Sequence, residues 1–226
     1  GGSAGKFSTQ ISGAVWGKGV DLKWGDDFVG VSELQRPDVR FEGQAVFVGH
    51  GITAPEFKWD DLKGVDVTNK ILILFTNEPP STESKFFDGR ALTYYGRWTY
   101  KFEEALRHGA RAAIIIHTTP TASYGWDVVR SSWGRESPYV KLAPNEKALS
   151  FAGWVTKDAG NRLLGLANHT VDELLAAADK PDFKPIDLGI QIRCHIPSKV
   201  RELETRNVAA VIPGSDPKLK DEAVIY

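Results

Sequence analysis

An α/β (α+β) fold, rich in strands and carrying a strand-helix-strand unit with several short helices, is predicted by three features of the sequence. Two short, wholly apolar runs, Ile71–Phe75 and Ala112–Ile116, have the composition of strands covered on both faces. Between them, residues 97–108 set Trp98, Phe102, Ala105 and Leu106 at helical spacing, and Gly109 follows as a stop. Further on, the chain alternates from residue 186 to 196. Ile186, Leu188, Ile190, Ile192, Cys194 and Ile196 fall on one face and Asp187, Gln191, Arg193 and His195 on the other, which is the period of a half-buried strand. The first two features make a crossover unit whose strands run parallel, with the right-handed sense such connections take.

The elements follow in order. Residues 1–43 are Gly-rich and polar, with short strands expected around residues 14–16 and 19–23, and read as an N-terminal arm or edge hairpin. The main domain is expected over residues 44–180. Near its start, Gly49-His50-Gly51-Ile52-Thr53-Ala54 follows the apolar Ala45-Val46-Phe47-Val48 and spells a dinucleotide-binding fingerprint. The stretch after it, to Gly64, is too short and irregular for a phosphate-binding helix, so the glycines predict a tight turn instead. In the helix over 97–108, Trp98 is assigned to the core. Glu103 with Arg107, and Glu104 with His108, stand at i,i+4. Residues 118–143 read as one long loop and residues 148–155 as a strand. Thr156 then caps a helix bearing Leu163, Leu164 and Leu166. Thr170-Val171-Asp172-Glu173 is a capping box that opens a second helix with Leu174 and Leu175. Pro181 and Pro185 mark a connector. After the alternating strand, residues 207–212 predict another strand, Pro213-Gly214-Ser215-Asp216 a turn, and Ala223-Val224-Ile225 the start of a further buried run. That last run has no closing turn, so the chain is expected to stop inside a second domain spanning 186–226.

Composition narrows the function classes. The 28 Lys and Arg nearly balance 29 Asp and Glu, so no field of one sign selects nucleic acid or an anionic membrane surface, and neither is expected as a partner. No apolar run approaches the roughly 18 residues of a membrane-spanning helix. Cys194 is alone, which rules out an internal disulfide and a cysteine-ligated zinc; its place on the apolar strand face predicts a buried, inert thiol. The histidines at 50, 108, 117, 169 and 195 stand singly, and no nucleophile elbow, P-loop or His-Glu-x-x-His is present. No metal or cofactor is therefore expected within this chain.

The candidate binding residues lie in the 118–143 stretch. His117 ends the second buried strand and faces it; Tyr124, Trp126, Trp133, Arg135 and Tyr139 fill it with amphipathic rings and a guanidinium. Such rings suit ligand contact because they bring rigid area and a polar tip. They equally suit pinning the stretch to the sheet, with His117 hydrogen-bonded to its backbone and Trp133 in a packed turn between Ser132 and Gly134. A second aromatic cluster, Tyr94-Tyr95-Gly96-Arg97-Trp98, precedes the helix, with Arg97 a candidate partner for a carboxylate.

Arg206-Asn207-Val208, Pro213-Gly214-Ser215-Asp216 and Glu222-Ala223-Val224-Ile225-Tyr226 resemble the segment that precedes the His-x-Asp-His zinc motif of bacterial co-catalytic zinc aminopeptidases, the leucyl aminopeptidase-like metallopeptidases. Upstream, Val46-Phe47-Val48-Gly49-His50-Gly51-Ile52-Thr53-Ala54-Pro55, Arg97-Trp98-Thr99-Tyr100-Lys101 and Ala152-Gly153-Trp154 resemble the protease-associated (PA) domain inserted in that family's larger members. The resemblance implies a PA-type domain at 44–180 and the leading strands of a truncated peptidase domain at 186–226. It also implies a parent enzyme, secreted or periplasmic, whose two zinc ions are held by residues beyond Tyr226. The partners implied are a peptide substrate and the remainder of the peptidase domain. The role implied is shaping substrate access, with His117, Tyr124, Trp126, Trp133 and Arg135 at the entrance. The alternative is a stand-alone module that binds peptide or carbohydrate through residues 118–143.

Overall fold

Unbroken apolar runs make the central strands two-sided, and the fold is built on that property. The computed structural model describes residues 10–15, 18–219 and 222. The strands are β1 (Gln10–Val15), β2 (Lys18–Lys23), β3 (Phe28–Val31), β4 (Asp38–Phe47), β5 (Thr53–Ala54), β6 (Trp59–Asp60), β7 (Ile71–Phe75), β8 (Ala112–Ile116), β9 (Phe151–Val155) and β10 (Ile186–Pro197). The helices are α1 (Trp98–Arg107), α2 (Thr119–Ala122), α3 (Trp126–Trp133), α4 (Lys157–Gly165) and α5 (Val171–Ala178). Eight strands form one sheet in the order β2-β1-β10-β4-β7-β8-β9-β3; β5 and β6 pair separately. The block β4-β7-β8-β9 is parallel, and antiparallel strands flank it on both sides.

The two faces of the block have separate cores. Ile71, Ile73 and Phe75 of β7, with Ile114 and Ile116 of β8, pack against Leu163 and Leu164 of α4 and Val171 and Leu174 of α5. Leu72 and Leu74, with Ala113 and Ile115, meet Phe102 and Ala105 of α1 and Val129 of α3 on the other face. Parallel strands buried on both sides need helices on both sides, and the chain supplies them in sequence. The α1 helix ends as its sequence requires: Gly109 takes φ +75°, Ala110 N–H donates to the Ala105 carbonyl and Gly109 N–H to that of Leu106, a Schellman closure. Thr156 and Thr170 accept from Ala159 and Glu173 N–H as N-caps of α4 and α5.

Several expectations change. The three-part division at 43/44 and 180/186 is not present in the sheet. The boundary at 43 falls inside β4, β3 pairs with β9, and β10 lies between β1 and β4, paired over residues 38–47. Residues 10–43 are therefore not a loose arm. β1 and β2 do form an edge hairpin, but Ile11 and Leu22 are core residues, and a Cβ on Gly13 would strike Leu163 of α4. Part of the strand expected at 14–16, Trp16, lies outside the described residues. Residues 207–212 form no strand: among the described residues no partner ladder is present, and Val208 and Ile212 are 96% and 94% exposed. The run Ala223-Val224-Ile225 lies outside the described residues. Residues 118–143 are not one loop, because Trp126, Val129 and Trp133 recur at helical spacing and form α3. Trp133 accordingly ends a helix rather than sitting in a tight turn. Trp98 is 39% exposed, and Tyr100, Lys101, Phe102, Glu104 and Ala105 are the buried residues of α1. Glu104, not Glu103, takes both Arg107 and His108. Cys194 is buried, and its thiol is pushed far above the usual range by burial, as the strand pattern predicts.

Candidate functional site

Side chains with chemistry collect just beyond the carboxyl ends of the parallel strands, where open α/β sheets place their ligand sites. β4 leads into Gly49-His50-Gly51, β7 into Thr76-Asn77-Glu78, β8 into His117-Thr118 and β9 into Thr156. The first of these is a tight turn: Gly49 and Gly51 take φ +60° and +63°, and a Cβ on Gly49 would meet the Phe183 ring at 2.9 Å. The next helical residues are a single 3-10 turn, Pro55–Phe57, which provides no phosphate-binding helix.

Below this turn lies a buried charge cluster. His50 donates from Nε2 to Asp179 at 2.8 Å, while its buried Nδ1 has no hydrogen-bond partner among the described residues. Asp61 accepts from Trp59 Nε1 at 2.9 Å and from Ile52 N–H at 3.1 Å. Burial pushes its carboxyl upward, opposed by His50, by these hydrogen bonds and by Lys101. Lys101, wholly buried on α1, donates to the Asn77 carbonyl at 2.7 Å; burial pushes its ammonium down to about 7 against the pull of Asp61 and Glu78. Glu78 is held by the Thr93 N–H and hydroxyl. The cluster ties β4, β7, α1 and the β5–β6 pair together, and it opens into neither concavity described below. A lysine at a core position of α1, one residue before Phe102, is the sequence signal for it, since lysine is almost never fully buried unless paired.

Two concavities flank the sheet block. One, of about 330 Å³, lies over the ends of β8 and β9 and is lined by His117, Thr118, Trp126, Thr156, Lys157 and Asp172, with Lys157 and Asp172 paired across it. His117 donates from Nε2 to the Tyr124 carbonyl at 2.8 Å, the loop-backbone bond expected of it, and burial holds its pKa below the usual 6.5. The imidazole is thus neutral at pH 7, with Nδ1 its accepting nitrogen. Tyr124 and Trp126 pack on it, with ring centroids 6.1 and 5.8 Å away. Trp126 also donates to the Gly25 carbonyl at 3.4 Å, which anchors the start of α3.

The second concavity, about 370 Å³, is a groove between α1 and α3. Trp133 forms its back wall, edge-on to Trp98 at 5.2 Å and against Phe102 at 5.5 Å. Tyr139 and Trp98 stand at its rim, and Glu33 and Glu103 supply its charge. The predicted access residues are therefore split: His117 and Trp126 line the first concavity, Tyr124 packs on His117 without lining it, and Trp133 belongs to the second. Trp154 of β9 joins the two, 6.3 Å from His117 and 6.4 Å from Trp133. Arg135 is exposed and makes no ion pair among the described residues; Arg97 makes none either. The sequence gives no signal for Glu33, which reaches the groove only because β3 pairs with β9.

Among the described residues no three His, Cys, Asp or Glu side chains converge as metal ligands, so no chemical step through a metal is built on these residues. Compared with known proteins, the chain matches no family model and no curated protein.

Proposed function

We propose that this chain is a noncatalytic PA-type part of a zinc-dependent aminopeptidase, shaping how peptide substrates reach an active site built by residues that follow it. The observation that carries the reading is the segment leaving β10. Arg201 pairs with Glu136 and Glu202 with Lys141, which lays the segment along the stretch that forms the rim of the aromatic groove. It then presents the bare apolar run of residues 207–212, whose side chains find no sheet here. A β-branched, exposed run of this kind suits a strand of a further sheet, and a domain built on it would stand beside the groove. The stand-alone peptide- or carbohydrate-binding reading rests on the groove alone and leaves the bare run unexplained.

Kinetics of the complete parent enzyme test the proposal. Trp133→Ala is expected to lower kcat/KM for peptides of five or six residues by about tenfold, and much less for a small chromogenic amide that cannot reach the groove. Trp126→Ala, which lacks a place in the groove, is expected to change the ratio of the two substrates little. Equal losses on both substrates for Trp133→Ala, together with a lower melting temperature, would assign the ring to packing and remove the access role.

A further inference from the structure

We propose that the groove between α1 and α3 is a binding site for a cationic peptide side chain, an arginine or a lysine. This deepens the access reading, and rests on it only in treating the bound peptide as substrate. The lining is apolar and aromatic around two carboxylates, with no lysine or arginine among its residues. Among the described residues Glu103 accepts only from the Tyr94 hydroxyl, because Arg107, the nearest guanidinium on its helix, is taken by Glu104. Glu33 accepts from Leu149 N–H at 3.0 Å, and among the described residues it has no cationic partner. Burial raises its carboxyl above the usual range, and the hydroxyl of Tyr139 is raised first by burial and then by the Glu33 charge.

Two carboxylates without counter-charge in a cleft walled by rings leave an electrostatic vacancy of one sign. A cation entering it gains both acids at once. It also meets the faces of Trp98 and Tyr139, which stand 39% and 56% exposed at the rim, and ring faces attract cations. Guanidinium fits best, since it is planar, stacks on indole and presents several donors in a fixed fork. The volume, about 370 Å³, lies in the range of small-ligand sites and admits one long side chain with its flanking backbone. A neutral or acidic side chain would desolvate the same carboxylates and leave them unpaired.

Calorimetric titration of the 226-residue chain with acetyl-Ala-Arg-Ala-amide, and with the same peptide carrying citrulline in place of arginine, tests the site. The arginine peptide is expected to bind saturably and more weakly as salt rises, and the uncharged citrulline peptide about tenfold less tightly or worse, the loss of a charged hydrogen bond. Glu103→Gln, on the exposed flank of α1, is expected to weaken the arginine peptide by a similar factor at an unchanged melting temperature. Glu33→Gln is a second variant, and a failure of it to fold leaves Glu103→Gln decisive. Equal affinity for the two peptides, no saturable binding of the arginine peptide, or full affinity in Glu103→Gln overturns the site. Selective arginine binding by the chain, joined to a parent enzyme indifferent to Trp133→Ala, would keep the site and sink the access reading. The opposite pair of results would sink the site and keep the access reading.

Discussion

Lys101→Met is expected to destabilise the fold by about 3–5 kcal/mol, with a fall in Tm on the order of 10 °C. The methionine fills nearly the same volume, so the loss comes from charge. Asp61 and Glu78 remain buried, and the ammonium that faces them from α1 is gone. The double variant Lys101→Met with Asp61→Asn removes one stranded acid and is expected to recover a measurable part of the loss, the non-additivity of residues in one network. Additive losses in urea unfolding would show that the two side chains do not interact. The wild-type chain should also carry a pH signature. Between about pH 7 and the ordinary lysine value of 10.5, the unfolded chain holds a proton on residue 101 that the folded chain has released. On this group's account stability therefore rises with pH across that window. Asp61 has the opposite sign in acid: its folded carboxyl holds a proton more readily than the unfolded one. Its contribution is fullest below the ordinary 3.8 and is lost as pH rises through its raised folded value. Lys101→Met should abolish the alkaline slope and leave the acid one.

Trp154→Ala is the second large effect, about 3–5 kcal/mol from lost burial and the cavity left behind. The ring is among the largest fully buried side chains and is in the core that α1 and α3 share with the sheet. It touches Trp133 on one side and His117 on the other, so both concavities should lose definition with it. Trp154→Phe separates packing from polarity. The buried indole N–H has no partner among the described residues, and its removal takes away an unpaired donor, which offsets part of the lost volume. Chemical denaturation of the three proteins gives the ordering, wild type near Trp154→Phe and well above Trp154→Ala. A phenylalanine variant as unstable as the alanine one would mean that the indole N–H makes a hydrogen bond worth keeping.

Much of the fold was legible because its strongest elements carry redundant signals. The runs of β7 and β8 are apolar on both faces, α1 has a stop glycine, α4 and α5 have threonine caps, and the alternation of β10 places Cys194 inside. The edge hairpin of β1 and β2 was legible as two short strands, but its place in the sheet was not, because edge pairing needs few apolar residues. Ile11 and Leu22 reach the core, and β1 takes its second partner, β10, from the far end of the chain. The apolar run at 207–212 shows the converse. A strand signal is strong there, yet a ladder needs a neighbour, and among the described residues none is present.

The sites were legible only by residue type. Aromatics between 118 and 143 line both concavities, but their placement along a helix decides which of them meet. Trp126 and His117 close one concavity, while Trp133, about two turns further along α3, faces Trp98 and Phe102 in the other. Glu33 owes its role to sheet order, which no local pattern of charge announces, and the only sequence mark of Lys101 is its core position on α1.

Elemental analysis of two purified proteins tests the central claim most directly. On the proposed reading the zinc ligands belong to a parent enzyme and not to this chain, so that parent should hold two zinc ions per chain and release amino acids from peptides. The 226-residue chain should hold no stoichiometric zinc and cleave no aminoacyl substrate. One or two tightly held zinc ions on the 226-residue chain, or none on an active parent, would contradict the account.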